Sequence, residues 1–302
     1  MTTFVARAPG KVNLGLFLGP IREDGRHELV TLYESVSLAD SVTVTVRAAD
    51  TDDRRDADQV VCEGVDGLNI VTRTLDGLRA RGWDAPSVRV VIDKRIPVAA
   101  GMGGGSADAA AVLRIAPRLA PVAAGVVGEL AASLGADVPS QFAPGVAIGT
   151  GAGELIDRVA RPLPAHAFVI VPQDFGLSTA DVYREADRLG LPRVAGDLAS
   201  RERALRRALV AGVELPAELL VNDLEPAALS LAPRIGRALE AVREAGAAHA
   251  LVCGSGPTVF GVWWGSDAAG LAAAAAGALA DRYPLATGTT PVSEEFGAPR
   301  GS

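Results

Sequence analysis

The chain has 302 residues and a net charge of −7; 49% of its residues are hydrophobic and only 4% aromatic. That length supports a large core, built here mainly from Ala, Val and Leu, and is enough for two domains. The acidic balance excludes a general nucleic-acid binder, which carries a basic face. The two cysteines, Cys62 and Cys253, form no metal-ligand pattern and no disulfide framework, so a reduced, cytoplasmic setting is expected.

The first apolar stretch is broken by Arg7, Pro9, Gly10, Lys11 and Asn13, which does not read as a signal peptide. No stretch reaches the roughly 18 to 20 uninterrupted apolar residues of a membrane span, and no membrane partner is expected. Residues 3–8 and 12–18 read as strands, followed by a polar turn at Arg22-Glu23-Asp24-Gly25. Residues 29–38 and the alternating run 41–46 read as further strands. The charged segment 50–58 predicts a solvated hairpin or loop. Helical spacing of Ile70, Val71, Leu75 and Leu78 predicts a helix over 69–81, and 88–92 a strand.

Helices are expected at 107–115 and 123–134, separated by Pro117 and Pro121. After Asp137 the chain turns through Pro139, and 146–149 reads as a short strand. Pro162 and Pro164 suggest a boundary dividing the chain into domains 1–163 and 164–302. The second half alternates strands (167–171, 250–252, 259–263) with helices (179–189, 197–209, 233–245), and the Ala-rich 271–279 reads as a buried helix. Strands mixed with helices in both halves predict an α+β fold with mixed sheets, not a regular parallel βαβ array.

The densest chemical signal is Pro97-Val98-Ala99-Ala100-Gly101-Met102-Gly103-Gly104-Gly105-Ser106, which leads directly into a helix-forming run. Glycines let backbone N–H groups crowd around a ligand, and a helix N-terminus behind them supplies free donors and partial positive charge. Together they describe a phosphate cradle; the alternative is a tight strand-to-helix turn. No Lys follows the glycines, so it is not a Walker A loop, and Ser106 occupies the last position of a G-x-G-x-x-G fingerprint.

Four other segments stand out. Pro9-Gly10-Lys11-Val12-Asn13-Leu14 sets a cation and an amide among apolar residues, as either a strand-edge Lys or a site cation. Asp24-Gly25-Arg26-His27-Glu28-Leu29 puts an imidazole just past a turn, where it is either incidental or able to donate and accept at a ligand. Leu134-Gly135-Ala136-Asp137-Val138-Pro139 leaves a carboxylate among small apolar residues at a predicted helix end, as a cap, a turn residue or a functional acid. Cys253-Gly254-Ser255-Gly256-Pro257-Thr258 is a second glycine loop, and Cys253 has no neighbouring base and reads as a core residue.

In order and spacing these segments resemble the three motifs of the GHMP small-molecule kinases. Pro9 to Leu14 is similar to the first motif, the glycine loop with Ala107-Asp108-Ala109-Ala110 to the second, and Gly254 to Thr258 to the third. Gly149-Thr150-Gly151-Ala152-Gly153-Glu154 and Asn222-Asp223-Leu224-Glu225-Pro226, with the segments around His27 and Asp137, carry the resemblance further, to the 4-diphosphocytidyl-2-C-methyl-D-erythritol kinase branch.

The resemblance implies a two-domain GHMP kinase fold, with an N-terminal ribosomal-protein-S5-like domain and a C-terminal ferredoxin-like α/β sandwich. It implies transfer of the γ-phosphoryl group of ATP to the C2 hydroxyl of the cytidine diphosphate methylerythritol substrate. Lys11 and Asp137 would be catalytic, with Asp137 the base. Residues 97 and 99–106 would hold ATP, with Asn69 and Lys94 flanking adenine and ribose. Asn13, Arg26, His27, Tyr183, Gly254, Ser255 and Gly256 would bind the substrate. The cofactors would be ATP and Mg²⁺, with Ser106 the candidate Mg²⁺ contact and no dedicated protein metal site. A monomer or homodimer is expected. Arg26 stands where the family has an aromatic, able either to stack on a base or to meet a diphosphate, and Ala152 stands where an Arg is common. A kinase of altered specificity and a non-catalytic nucleotide-binding homologue are the competing readings.

Overall fold

Two long antiparallel strands organise the first half of the chain, β1 (Thr3–Ile21) and β2 (His27–Val46). The computed structural model describes residues 2–47, 58–65, 69–160 and 163–301. Most of the charged segment predicted at 50–58 and Pro162 at the predicted boundary lie outside the described residues. Each of the two strands spans what the sequence divides into two strand-like runs. Register shifts between Pro9 and Lys11, Asn13 and Gly15, and Leu18 and Ile21 absorb the interruptions. Such irregularities re-aim side chains without ending the strand.

The sheet is completed by β3 (Gln59–Cys62), β4 (Val88–Asp93), β5 (Val146–Thr150) and β6 (Leu155–Arg158). β4 pairs with the far end of β2, and β5 with its middle. Four helices accompany this sheet: α1 (Ile70–Ala80), α2 (Gly104–Leu119), α3 (Val126–Leu134) and α4 (Val138–Phe142). α2 packs on β1 and β2 and buries Ala107, Ala109, Ala110, Val112, Leu113 and Ile115. It begins at Gly104 rather than Ala107 and runs through Pro117 to Leu119. Pro117 removes one helical donor, but packing of the helix on the sheet holds the last turn in place. α3 starts at Val126, three residues later than the periodicity suggests.

The second sheet begins with β7 (His166–Val171). After α5 (Thr179–Arg188), α6 (Ala195–Ala211), α7 (Glu225–Leu231) and α8 (Ile235–Glu244) it adds β8 (His249–Val252) and β9 (Val259–Trp264). α9 (Ala268–Leu279) and β10 (Thr287–Thr289) complete it, giving the antiparallel order β10-β7-β9-β8. Only one side of α9 is buried, through Ala268, Ala272, Ala275, Ala276 and Leu279, so it is a surface helix rather than the enclosed one expected. A final strand, β11 (Arg300–Gly301), returns to β1.

A shared core cluster joins the two sheets, with Val12, Leu14, Phe17 and Leu32 against Phe168, Ile170, Leu251 and Phe260. Buried His166 of β7 contacts buried Glu34 of β2 across the same junction. The mixed α+β architecture expected from the sequence is present.

Candidate active site

The glycine loop lies where the first sheet meets the loop after β8. Its backbone explains its composition. Ala99, Gly101 and Gly103 have φ of +56°, +74° and +68°, a region that glycine enters without strain and alanine does not. A Cβ on Gly101 would stand 2.3 Å from the carbonyl oxygen of Cys253, so the two glycine loops approach as closely as backbone allows. Gly103 occupies the N-cap of α2 and offers no side-chain cap. The first-turn N–H groups of α2 are therefore uncapped, and such groups form an anion site.

Three cavities run side by side. One, of about 360 Å³, is lined by the whole run 97–106 with Asn69 and Lys94. Every residue expected at ATP is thus gathered in one place. A second, of about 350 Å³, is lined by Lys11, Asn13, Asp137, Tyr183, Gly254 and Ser255 and shares Gly101, Gly103 and Ser106 with the first. A third, of about 460 Å³ and largely apolar, is lined by Arg26 and His27 and shares Leu29, Ala136, Ala152 and Tyr183 with the second. Arg26 and His27 therefore stand one cavity away from Lys11, and Gly256 lines none of the three.

Lys11 and Asn13 project from one face of β1, as alternation requires. The Lys11 backbone N–H donates to Met102 O at 2.9 Å, tying β1 to the glycine loop. Buried Lys11 Nζ donates to Asn13 Oδ1 at 2.8 Å and to Gly101 O at 2.9 Å, and stands 3.5 Å from Asp137 Oδ2. Asn13 is fixed in turn, donating to Thr31 Oγ1 at 2.8 Å. Asp137 is the N-cap residue of α4, three residues beyond the end of α3, and its side chain makes no capping bond. The carboxylate faces Lys11 and the phenol of Tyr33, which donates to its Oδ1 at 3.2 Å. Burial, and then the Asp137 charge, hold the Tyr33 phenol well above the usual range, so it stays protonated.

Lys94 lines the first cavity, and its ammonium is bound by two carboxylates, Asp40 and Asp108. Burial disfavours the Lys94 charge, yet the two carboxylates leave its pKa raised. Burial is also the main reason the Asp108 carboxyl is raised, assisted by Asp40 and opposed by Lys94. Asn69 caps α1 by accepting from Val71 N at 2.9 Å. His27 Nδ1 lies 2.9 Å from Gly19 O, and its Nε2 3.1 Å from Asp187 Oδ1. Both ring nitrogens thus already have protein partners, and the ring packs 5.5 Å from that of Tyr183. Arg26 is exposed and held by Asp24 through Nε and Nη2, at 3.0 and 2.8 Å.

In the second glycine loop Ser255 Oγ meets Thr179 Oγ1 at 3.0 Å, and Asn222 donates to the carbonyls of Val252 and Gly254. Burial pushes the Cys253 thiol up to about 11, in keeping with a core residue. The sequence reading did not single out Tyr33, Thr31, Asp40 or Asp108 for this site. Their partners are remote in sequence, and Asp108 alone was visible, as part of the helix that follows the glycines.

Comparison with known proteins agrees with this architecture. The GHMP kinases N terminal domain family matches residues 69–145, and the GHMP kinases C terminal family residues 199–281. A 4-diphosphocytidyl-2-C-methyl-D-erythritol kinase of Corynebacterium efficiens is 41% identical over 84% of this chain and 83% of its own. One from Mycobacterium bovis is 41% identical over 97% of this chain and 93% of its own. The crystal structure of a 4-(cytidine 5'-diphospho)-2C-methyl-D-erythritol kinase superposes with a TM-score of 0.75 at 32% identity, covering 95% of this chain and 98% of that one. A homoserine kinase from Cytophaga hutchinsonii, at 18% identity and a TM-score of 0.65 over 100% of this chain and 97% of its own, shares the fold. Likeness of this extent, across both halves of the chain, places it in the GHMP kinases, within the 4-diphosphocytidyl-2-C-methyl-D-erythritol kinase family.

Proposed function

We propose that this chain transfers the γ-phosphoryl group of ATP to the C2 hydroxyl of 4-diphosphocytidyl-2-C-methyl-D-erythritol, a step in non-mevalonate isoprenoid precursor synthesis. The observation that carries the reading is the Lys11–Asp137 pair, 3.5 Å apart beside the uncapped start of α2. The adjoining cavities accommodate a nucleotide on one side and a second, partly apolar ligand on the other.

Phosphoryl transfer of this kind runs through a loose transition state with charge on the phosphoryl oxygens, so positioning and charge stabilisation dominate. The backbone N–H groups at the start of α2 and the Lys11 ammonium supply that charge stabilisation. Asp137 takes the proton of the attacking hydroxyl. The oxygen's electron pair forms the new O–P bond as the bond to the leaving ADP oxygen breaks. Lys11 sets a positive charge 3.5 Å from the Asp137 carboxylate, on the side away from Tyr33. Among the described residues no group of three or more His, Cys, Asp or Glu forms a cation cage. Mg²⁺ fits this site as an ion carried on the phosphates, beside the Ser106 hydroxyl that borders both cavities. It would supply further neutralisation of phosphate charge.

The test is ADP release by purified protein with ATP and Mg²⁺ against a panel of alcohols: the cytidyl substrate, mevalonate, homoserine and a hexose. Turnover confined to the cytidyl substrate is expected. Turnover confined to another alcohol would overturn the substrate assignment, and ATP binding without turnover on any would favour a non-catalytic homologue.

A further inference from the structure

The glycine-rich segment 149–154 forms the turn of the β5–β6 hairpin, and its Ala152 lines the second and third cavities. Its glycines face Tyr33. A Cβ on Gly149 would stand 2.6 Å from Tyr33 Cε2, and one on Gly153 2.7 Å from Tyr33 Oη. Either would force the ring aside. The hairpin is thus cut to the shape of one tyrosine, which β2 delivers opposite Ala147 of β5 and Asn13 of β1. The buried ring ends at the catalytic carboxylate. Tyr33 Oη lies 3.2 Å from Asp137 Oδ1 and 3.4 Å from Gly153 O, so two acceptors compete for one proton. Lys11 holds the other side of the carboxylate, with Nζ 3.5 Å from Oδ2 and 5.8 Å from the Tyr33 ring centroid.

We propose that Tyr33 is a positioning residue for Asp137: its phenol binds Oδ1 while the carboxylate is ionised, leaves Oδ2 to take the substrate proton, and turns to the Gly153 carbonyl once Asp137 is protonated. The inference rests on the phosphoryl-transfer reading for its kinetic consequence, but the contact itself does not. Tyr33 keeps its own proton throughout. The proton that moves passes from the substrate oxygen to Asp137, and the O–P bond forms from the oxygen pair it leaves. A hydroxyl with two acceptors at similar range follows the charge of its neighbour without moving the ring. The competing hydrogen bonds are long, which suits a donor that must change partner, and apo contacts of this kind tighten when substrate binds.

The charged and titratable groups around Asp137 are Lys11 from β1, Tyr33 from β2, Tyr183 from α5, Glu154 from the hairpin acting on Tyr33, and Cys253 before the second glycine loop. Tyr33 and Lys11 hold the two oxygens of the carboxylate from opposite sides, and loss of the phenol removes the donor to Oδ1.

Tyr33→Phe tests this, because it keeps the ring in its glycine slot and removes one oxygen. Turnover should fall roughly 10- to 100-fold, the rate equivalent of one hydrogen bond to a charged group. KM for both substrates should stay within about twofold. The acidic limb of the kcat–pH profile should move to higher pH, and on an Asp137→Asn background the substitution should add little. Unchanged turnover and an unmoved acidic limb would overturn the proposal. So would a rate loss accompanied by a lower melting temperature and no movement of the limb, since that describes packing alone. Carboxyl ¹³C titration of Asp137, assigned by its absence in Asp137→Asn, reads the contact without turnover. An Asp137 titration identical in wild type and Tyr33→Phe overturns the inference even if the kinase reading holds. A shifted titration in a protein that phosphorylates none of the panel leaves the contact standing and overturns the functional reading.

Discussion

The ammonium of Lys11 stands 3.5 Å from Asp137 Oδ2 and 2.9 Å from the carbonyl of Gly101, so one cation touches both the proposed base and the glycine loop. The contact joins β1 to the start of α4 in the wall of the second cavity.

Replacement of Asp137 by Asn should lower kcat by roughly 10² to 10⁴, the range for a positioned acid–base group. Nucleotide affinity should be retained, because Asp137 lines the catalytic cavity and not the nucleotide cavity. Lys11→Met should lower kcat comparably, and the double substitution should cost little more than either alone. Steady-state kinetics with calorimetric nucleotide binding check this. Near-intact turnover in Asp137→Asn would make the carboxylate structural.

Gly101→Ala should destabilise the protein and weaken nucleotide binding together. Its φ of +74° disfavours a side chain, and the added Cβ would meet Cys253 O at 2.3 Å. Backbone strain of this kind costs about 1–3 kcal/mol. Gly128→Ala, in the first turn of α3, is the control: the new Cβ meets nothing within 4 Å, and replacing a helical glycine by alanine gains at most about 1 kcal/mol. Denaturant midpoints should move in opposite directions for the two variants.

Lys94→Met should be more costly to stability than a surface lysine. It would leave Asp40 and Asp108, both buried, without their shared cation. Breaking such an arrangement from one side costs about 3–5 kcal/mol. Adding Asp108→Asn to Lys94→Met should recover part of the loss, since one of two like charges is then gone. Urea melts of the single and double variants measure the recovery, and none would mean the carboxylates are not coupled through Lys94.

His166 predicts a pH dependence. Its Nδ1 lies 2.7 Å from Pro164 O and its Nε2 2.9 Å from Glu34 Oε2, two acceptors that the protonated ring satisfies together. Burial alone would lower its pKa, but the hydrogen bond and charge of Glu34 raise it above the ordinary 6.5. A raised folded-state value stabilises the protein fully below the unfolded value, near 6.5, and that contribution is lost as pH rises through the folded one. This contribution should therefore decline as pH rises above about 6.5 in the wild type and less so in Glu34→Gln. Parallel pH–stability curves for the two would remove His166 from this role.

The glycine loop was legible because its demands are local: left-handed backbone at Gly101 and Gly103, and a helix waiting behind them. The strand alternation at 41–46 and the helical spacing at 70–78 were legible for the same reason, since each needs only its own periodicity. Asp137 was visible as an odd residue but was assigned to a helix end, because Pro139 reads as a breaker and in fact sits in the first turn of α4, where proline is tolerated. Pro117 misled in the same way, since propensity yields to packing on a sheet. His27 and Lys94 were found as residues, yet not as residues whose polar groups are already taken by Asp187, Asp40 and Asp108.

The sequence by itself determined which segments carry the glycine loops, where Lys11 and Asp137 stand in the chain, and the α+β character of both halves, because composition, periodicity and glycine freedom act over a few residues. Only the tertiary structure decided that Lys11 meets Asp137, that Asp40 and Asp108 claim Lys94, and that Gly149 and Gly153 make room for Tyr33. Those pairings join strands and loops remote in sequence. Their geometry is set by the register of β1 on β2 and of β2 on β5, and by the close approach of two glycine loops, none of which a local pattern encodes.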